Sequence, residues 1–184
     1  MKVGITGHTS GIGLALYNKF KELGYEVVGL SRSTGHDIGI DTARSDILNT
    51  INDCDIFVNN AYHNSGQAAL LESILNQWKN KNKIVIHISS IIVRMPDDLF
   101  VGFQSVLDYK FAKENSNSIA ENYSGSVKLL NILPGFVKTN FYLIKLNPSV
   151  LNNAMEPEFV AEEIIKEMYF LNSERRSAEI IKTS

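Results

Sequence analysis

The stretch Lys2-Val3-Gly4-Ile5-Thr6-Gly7-His8-Thr9-Ser10-Gly11-Ile12-Gly13, followed by Leu14, Ala15, Leu16 and Phe20, decides the fold. Its first five residues are a short, mostly apolar run that reads as a strand, and the apolar residues after Gly13 supply one face of a helix. The glycines therefore sit at a strand-to-helix turn. Gly7 permits a tight exit from the strand, Gly11 lets backbone approach a pyrophosphate, and Gly13 lets the helix pack close to the sheet. The helix N-terminus then faces the phosphates. The glycine spacing, three residues and then one, departs from the G-x-G-x-x-G of many dinucleotide enzymes. On this stretch alone an ordinary glycine-rich βα turn stays open.

Outward from the turn, short β-branched runs alternate with amphipathic ones. Lys2–Thr6, Glu26–Ser31, Ile56–Asn59, Lys83–Ser89, Val127–Leu133 and Glu179–Ile181 read as strands. Ile12–Leu23, Arg44–Asn52, Gly66–Trp78, Leu107–Asn122 and Pro157–Leu171 read as helices, the first closed by Gly24. Strands that are apolar on both faces, joined by right-handed helical crossovers, make a parallel sheet. The expected fold is a Rossmann-type doubly wound α/β domain of about seven strands with helices on both faces. No repeat, low-complexity tract or linker divides the chain, and 184 residues with 44% hydrophobic content suit one domain over 1–184.

Composition excludes several functions. The 18 Lys and Arg nearly balance the 20 Asp and Glu and are scattered, which argues against nucleic acid or an anionic membrane as partner. Runs such as Ile84–Ile88 and Val127–Leu133 are too short to span a bilayer. Cys54 is alone and no basic-then-apolar leader precedes Lys2, so a cytoplasmic protein is expected. His8, His36, His63 and His87 are dispersed, and Cys54 has no partner at zinc-like spacing, so no metal is expected. Ile74 and Trp78 read as packing against the core or a partner subunit.

The Thr6-Gly7-x-x-x-Gly11-Ile12-Gly13 pattern resembles the short-chain dehydrogenase/reductase family, and further motifs of that family follow in order over nearly the whole chain. Asn59-Asn60-Ala61 resembles the family's Asn-Asn-Ala-Gly turn, and Ser89-Ser90 closes the next strand. Tyr109-Lys110-Phe111-Ala112-Lys113 supplies Tyr-x-x-x-Lys, and Pro134-Gly135-Phe136-Val137-Lys138-Thr139 resembles the Pro-Gly segment after the sixth strand. One such motif arises easily by chance, whereas an ordered set at strand ends does not. The resemblance implies an oxidoreductase acting on a small carbonyl or alcohol. Cofactor contacts are implied at Gly7, Thr9, Ser10, Gly11, Ile12, Gly13, Asn59, Asn60, Ala61, Lys113, Pro134, Gly135, Val137 and Thr139. Asp37-Ile38 resembles the Asp-Val segment whose acid contacts the adenine, although Asp41 can serve instead, or both can cap the helix Arg44–Asn52.

Tyr109 and Lys113 are four apart on a helix and share a face. A phenol titrates near about 10, and lowering that by about 3 units takes roughly 4 kcal/mol, part of which a neighbouring ammonium supplies. The resemblance makes Tyr109 the proton donor and gives Lys113 a bond to the nicotinamide ribose. It makes Ser90, rather than Ser89, the group that orients the carbonyl oxygen, and Asn64 the holder of a water in the proton relay, unless Asn64 is simply a helix cap. After the second strand, Gly29-Leu30-Ser31-Arg32-Ser33 lacks the acid that an NAD enzyme sets on the ribose 2′-hydroxyl. Ser31, Arg32 and Ser33 offer hydroxyls and a guanidinium fork suited to a 2′-phosphate, so the expected cofactor is NADP(H).

The sequence also departs from the family. Tyr62 replaces the glycine of the Asn-Asn-Ala-Gly turn, and the stretch leading to the next helix is largely deleted. Nineteen positions separate Ser90 from Tyr109, so Arg94–Phe103 is expected to form an enlarged loop beside the substrate. Thr139 to Pro157 leaves room for a short lid only. These walls suggest a modest carbonyl compound in an open cleft, with Arg94 pairing an acidic group and Phe100, Phe103, Phe141 or Tyr142 flanking it. The rivals are a nucleotide-sugar reductase or epimerase, disfavoured by the short C-terminal region, and a binding or sensing protein for NADP(H) that has lost turnover. Family members commonly pair through the helices represented here by Gly66–Trp78 and Leu107–Asn122, which leaves a homo-oligomer open.

Overall fold

A computed structural model describes residues 1–139, 154–171 and 175–181. After Lys2, strand β1 (Lys2–Thr6) carries no charge and is buried throughout, as a strand covered on both faces must be. It is followed by α1 (Gly11–Glu22), β2 (Glu26–Leu30), α2 (Asp41–Thr50), β3 (Ile56–Asn59) and α3 (Gly66–Gln77). Then come β4 (Ile84–Ile88), α4 (Gln104–Asn122), β5 (Lys128–Pro134), α5 (Pro157–Tyr169) and β6 (Arg175–Ile180). The strands form one parallel sheet in the order β2-β1-β3-β4-β5-β6.

Alternation along the strands divides the core in two. Val3, Ile5, Val58, Ile86 and Ile132 face α1 and α5, packing on Leu16, Phe20, Val160 and Ile164. Phe57, Val85 and Leu129 face the opposite layer, where they meet Ile47, Leu71, Ile74 and Ala120. Trp78 lies edge-on to Phe57 with ring centroids 6.5 Å apart, and it and Ile74 are fully buried, so both belong to the core rather than to a partner surface. The doubly wound α/β fold is therefore present. Among the described residues no helix is long and apolar enough to cross a membrane.

The sheet has six strands among the described residues, not about seven. The strand that is missing would lie outside β2. Between β2 and α2 the chain has only Ser31 to Ile40, containing one 3-10 turn at Arg32–Thr34. A parallel crossover with its helix needs at least about a dozen residues, so this segment cannot add a further strand.

Strand order reverses at β1, which has β2 on one side and β3 on the other. In such sheets the crevice beyond the carboxyl ends at the reversal is where ligands bind. The glycine-rich turn leaves β1 at that point.

Candidate active site

A latch between β1 and β3 fixes the floor of the crevice. Thr6 Oγ1 accepts hydrogen bonds from the backbone N–H groups of Asn60 (3.0 Å) and Ala61 (3.1 Å) and donates to the Val58 carbonyl. In return, Asn60 Nδ2 donates to the carbonyls of Thr6 (3.0 Å) and Gly7 (3.3 Å). The Thr-Gly and Asn-Asn-Ala motifs are thus two halves of one hydrogen-bonded unit. α1 starts directly above it, and its N-cap, Ser10, makes no side-chain capping bond, so the first N–H groups of the helix are not satisfied by a cap. Gly11 has φ +55, in the left-handed region that glycine enters freely.

The cleft that opens here has a volume of about 620 Å3, within the range of small-molecule and cofactor sites. Gly7, Thr9, Ser10, Gly11 and Ile12 line it at the turn, and Ser31, Arg32, Ser33, His36, Asp37 and Ile38 line the end beyond β2. Asn60, Ala61, Tyr62 and His63 follow β3, and Ile88, Ser89 and Ser90 close β4. Tyr109 and Lys113 project from α4, and Pro134, Gly135, Val137 and Thr139 come from the end of β5.

At its α4 side the cleft holds a compact polar cluster. The rings of Tyr62 and Tyr109 meet edge-on at 4.9 Å, with Lys113 Nζ 5.8 Å from the first centroid and 5.7 Å from the second. Both distances suit cation–π attraction. Lys113 is 3% exposed, and its ammonium donates to Gln67 Oε1 and to the Ile88 carbonyl, each at 2.8 Å. Both acceptors are neutral, and burial pushes the amine down to about 7. Burial, followed by the charge of Asp108, raises the phenol of Tyr62. Ser90 caps a 3-10 turn (Ile91–Arg94) by accepting from the Ile92 N–H at 3.3 Å, which leaves its own proton to donate. The neighbouring Ser89 hydroxyl is buried without a partner among the described residues.

Comparison with solved structures bears on the fold. The chain superposes on the 3-alpha-hydroxysteroid dehydrogenase from Pseudomonas sp. B-0831, solved with NADH, with a TM-score of 0.75 and 18% identity over 98% of this chain and 95% of that one. A short chain dehydrogenase from Burkholderia cenocepacia J2315 in complex with NADP gives a TM-score of 0.76 and 14% identity over 99% and 88%. The serine dehydrogenase from Escherichia coli gives 0.72 and 17% over 99% and 98%. The chain has the short-chain dehydrogenase fold. No protein-family model and no curated protein matches its sequence.

Within this short-chain dehydrogenase fold, Gly13, Asn59 and Asn64, expected to contact the cofactor or take part in catalysis, do not line the cleft. Gly13 is buried against the latch. Asn59, the last residue of β3, is fully buried, its amide donating to the Gln67 carbonyl at 3.0 Å and facing His87 Nδ1 at 3.4 Å. Asn64 is exposed in the turn before α3 with φ +39 and does not line the cleft. The group that reaches Lys113 instead is Gln67, which sequence reading missed. The sequence carries no signal for it: Gly66 meets the Ile38 carbonyl too closely for a side chain, and that close approach, seen only in the fold, brings its neighbour deep into the sheet.

The expected wall at Arg94–Phe103 is also corrected. It begins at the end of one 3-10 turn, Ile91–Arg94, and contains another, Asp97–Phe100. Arg94 is engaged by Glu121 at 2.5 Å and Glu179 at 3.7 Å, and Phe103 is 63% exposed. Neither they nor Phe100 line the cleft. Opposed carboxylates hold Arg94 elsewhere, so it is not an anchor for an acidic ligand. Phe141 and Tyr142 lie outside the described residues.

Lys113 makes stability depend on pH. Its folded pKa of about 7 lies below the 10.5 of an ordinary lysine. Above about 7 the unfolded chain therefore binds more protons than the native one, and stability rises with pH, by up to ~1.4 kcal/mol per unit from this group. Above about 9 the thiol of Cys54, pushed up to about 11 by burial, acts with the opposite sign. Urea denaturation should thus show greater stability at pH 9 than at pH 7, and Lys113→Met should remove the difference. An equal pH 7 to 9 gain in the variant would mean that another group is responsible.

Proposed function

We propose that the chain is an NADPH-dependent oxidoreductase that reduces a small carbonyl compound, or oxidises the corresponding alcohol, with Tyr109 as proton donor. One observation carries this reading: a single cleft brings Ser90, Tyr109 and Lys113 together with the glycine turn and Ser31-Arg32-Ser33, although these residues come from distant parts of the chain. The residues fit a nicotinamide dinucleotide. A Cβ on Gly13 would lie 2.1 Å from the Gly7 carbonyl oxygen, so α1 packs directly on the glycine turn, as a dinucleotide-binding turn requires. Bound with its reactive ring beside Tyr109, the reduced cofactor would supply the hydride.

The chain's own groups then handle the oxygen. The Ser90 hydroxyl donates a hydrogen bond to the carbonyl oxygen and orients it, and Tyr109 gives its phenolic proton to the same oxygen as negative charge develops there. Lys113, held against the Tyr109 ring, stabilises the phenolate that remains. Water at the open cleft returns the proton. With Arg94 engaged elsewhere, the favoured substrate is a small carbonyl compound without an acidic group. A screen of NADPH oxidation with small aldehydes, ketones and keto acids beside bulky hydrophobic ketones tests this; a marked preference for a bulky ketone would overturn it.

Of the similar solved structures, the hydroxysteroid dehydrogenase holds NADH and the Burkholderia enzyme NADP. The cofactor preference therefore rests on this chain. Ser31 and Ser33 share a hydrogen bond at 2.8 Å, and the exposed Arg32 has no carboxylate partner among the described residues. NADPH should bind at least about tenfold more tightly than NADH, or ~1.4 kcal/mol. Arg32→Asp should erase the difference. Nicotinamide fluorescence titrations decide it, and equal affinities in the unmodified protein would sink the assignment.

Tyr62 favours a second reading, binding of the dinucleotide without turnover, because its ring occupies the position of a glycine in the family's turn and packs on Tyr109. Tyr62→Gly separates the two. If wild type is inert and the variant turns over, binding is the native role.

A further inference from the structure

Lys113 is held by a device that the proposed reaction does not by itself require. Gln67 is 1% exposed in the first turn of α3, and its amide is oriented without ambiguity. Nε2 donates to two backbone carbonyls, those of Asn59 and Ile88, each at 3.0 Å. Oε1 accepts from Lys113 Nζ at 2.8 Å. Flipping the amide would set its oxygen against two carbonyl oxygens and its nitrogen against an ammonium, losing all three bonds. The α3 backbone is fixed in turn, because Asn59 Nδ2 donates to the Gln67 carbonyl at 3.0 Å. The last residues of β3 and β4 therefore aim one neutral oxygen at the lysine.

We infer that Gln67 is a positioning residue: it holds the Lys113 ammonium directly against the rings of Tyr62 and Tyr109 and keeps that charge free of any counterion. Its consequence for turnover rests on the proposed reaction, whereas the geometry does not. The groups facing Lys113 are Tyr109 from its own helix, Tyr62 from the end of β3, and His87 from β4. His87 is kept neutral by burial and then by the lysine's charge. Among the described residues no carboxylate bonds to Lys113. A carboxylate in place of the amide would pair with the ammonium and quench the field at Tyr109; a neutral acceptor holds the lysine without doing so.

The test uses the whole chain and two substitutions of matched length. Gln67→Glu introduces the counterion, and Gln67→Met removes the acceptor while keeping the packing. Titration of the Lys113 side chain is followed by NMR of 13Cε-labelled lysine in the protein without cofactor, with Lys113→Met assigning the resonance. In Gln67→Glu the midpoint should rise by at least about one unit, as expected for an opposite charge at contact distance. In Gln67→Met, kcat should fall at least about tenfold with the carbonyl KM changed less than about threefold, because the ammonium acts only as charge develops on Tyr109. A Lys113 midpoint unmoved by Gln67→Glu, or a kcat unmoved by Gln67→Met with the fold intact by circular dichroism, would overturn the inference. The NMR arm needs no turnover. An inert wild type with a shifted midpoint would refute the proposed reaction and leave the positioning role standing.

Discussion

Tyr109→Phe should lower the turnover of a reducible carbonyl by at least about a thousandfold while leaving NADPH affinity within about twofold, since a positioned general acid contributes roughly 10²–10⁴. The substitution removes one oxygen and keeps the ring. Phenylalanine still packs edge-on against Tyr62 and still offers a π face to Lys113, so the local fold has no reason to change. Ser90 and the glycine turn are untouched. Lys113→Met should differ by damaging both turnover and cofactor binding, because it removes a charge at the reaction centre and a donor inside the cleft. Steady-state kinetics on the best substrate of the screen, with fluorescence titration of NADPH, reads both quantities. If Tyr109→Phe kept most of its activity, the proton would have to come from elsewhere, and Tyr62, 4.9 Å away, is the phenol to substitute next.

Gly13→Ala should act at the other end of the chemistry. The added methyl would lie 2.1 Å from the Gly7 carbonyl oxygen, 2.5 Å from Asn60 Nδ2 and 2.8 Å from the Gly7 carbonyl carbon. None of these can retreat cheaply. Gly7 is tied to β2 through its N–H to the Leu30 carbonyl at 2.8 Å, and the Asn60 amide is held by Thr6 and Gly7. α1 must therefore lift from the sheet, at a cost of about 3 kcal/mol for an overpacked site without freedom to relax. For a chain of this size that corresponds to a fall in Tm of roughly 6–12 °C. NADPH affinity should fall more than about tenfold as well, because the displaced helix end no longer meets the phosphates. Leu14→Ala, at the exposed neighbouring position, is the control. A Gly13→Ala protein that melts within 2 °C of wild type and binds NADPH equally well would show that the turn tolerates what its geometry forbids.

Much of this architecture is legible in the residues because it is local. The β-branched runs, the glycine turn and the four-residue spacing of Tyr109 and Lys113 each follow from backbone periodicity. The missing outer strand was open to counting, since Arg32 to Ile40 is too short for a crossover. The division of labour between Asn59 and Asn60 was also within reach. Adjacent residues of a strand point to opposite faces, so one asparagine enters the core and the other reaches the tip. Gln67 was not, because its role arises from the approach of α3 to the ends of β3 and β4, which no spacing along the chain reveals. Counting back from Ser90 led to Asn64 instead. Arg94 fails for a related reason, since its partners, Glu121 and Glu179, lie 27 and 85 positions further along the chain.

Among the described residues no strand lies beyond β2, and this has a dynamic consequence. β2 is the rim of the sheet, bonded to β1 on one side only, and Ser31-Arg32-Ser33 continue directly from its end. A rim strand opens by local fraying at a free energy well below that of global unfolding, whereas the central strands β3 and β4 open only with the whole sheet. A dinucleotide held by Ser31–Ser33 binds the closed rim and not the frayed one. Amide hydrogens of Val27 to Leu30 that bond to β1 should therefore exchange with solvent more slowly in proportion to ligand saturation, by the factor 1 + [L]/Kd. Those of Val85 and Ile86 exchange only with global unfolding, which also releases the ligand, so they slow by the same factor from a higher starting protection. Hydrogen exchange across β2 would then serve as an internal gauge of occupancy at the phosphate end of the cleft, readable before any substrate is known.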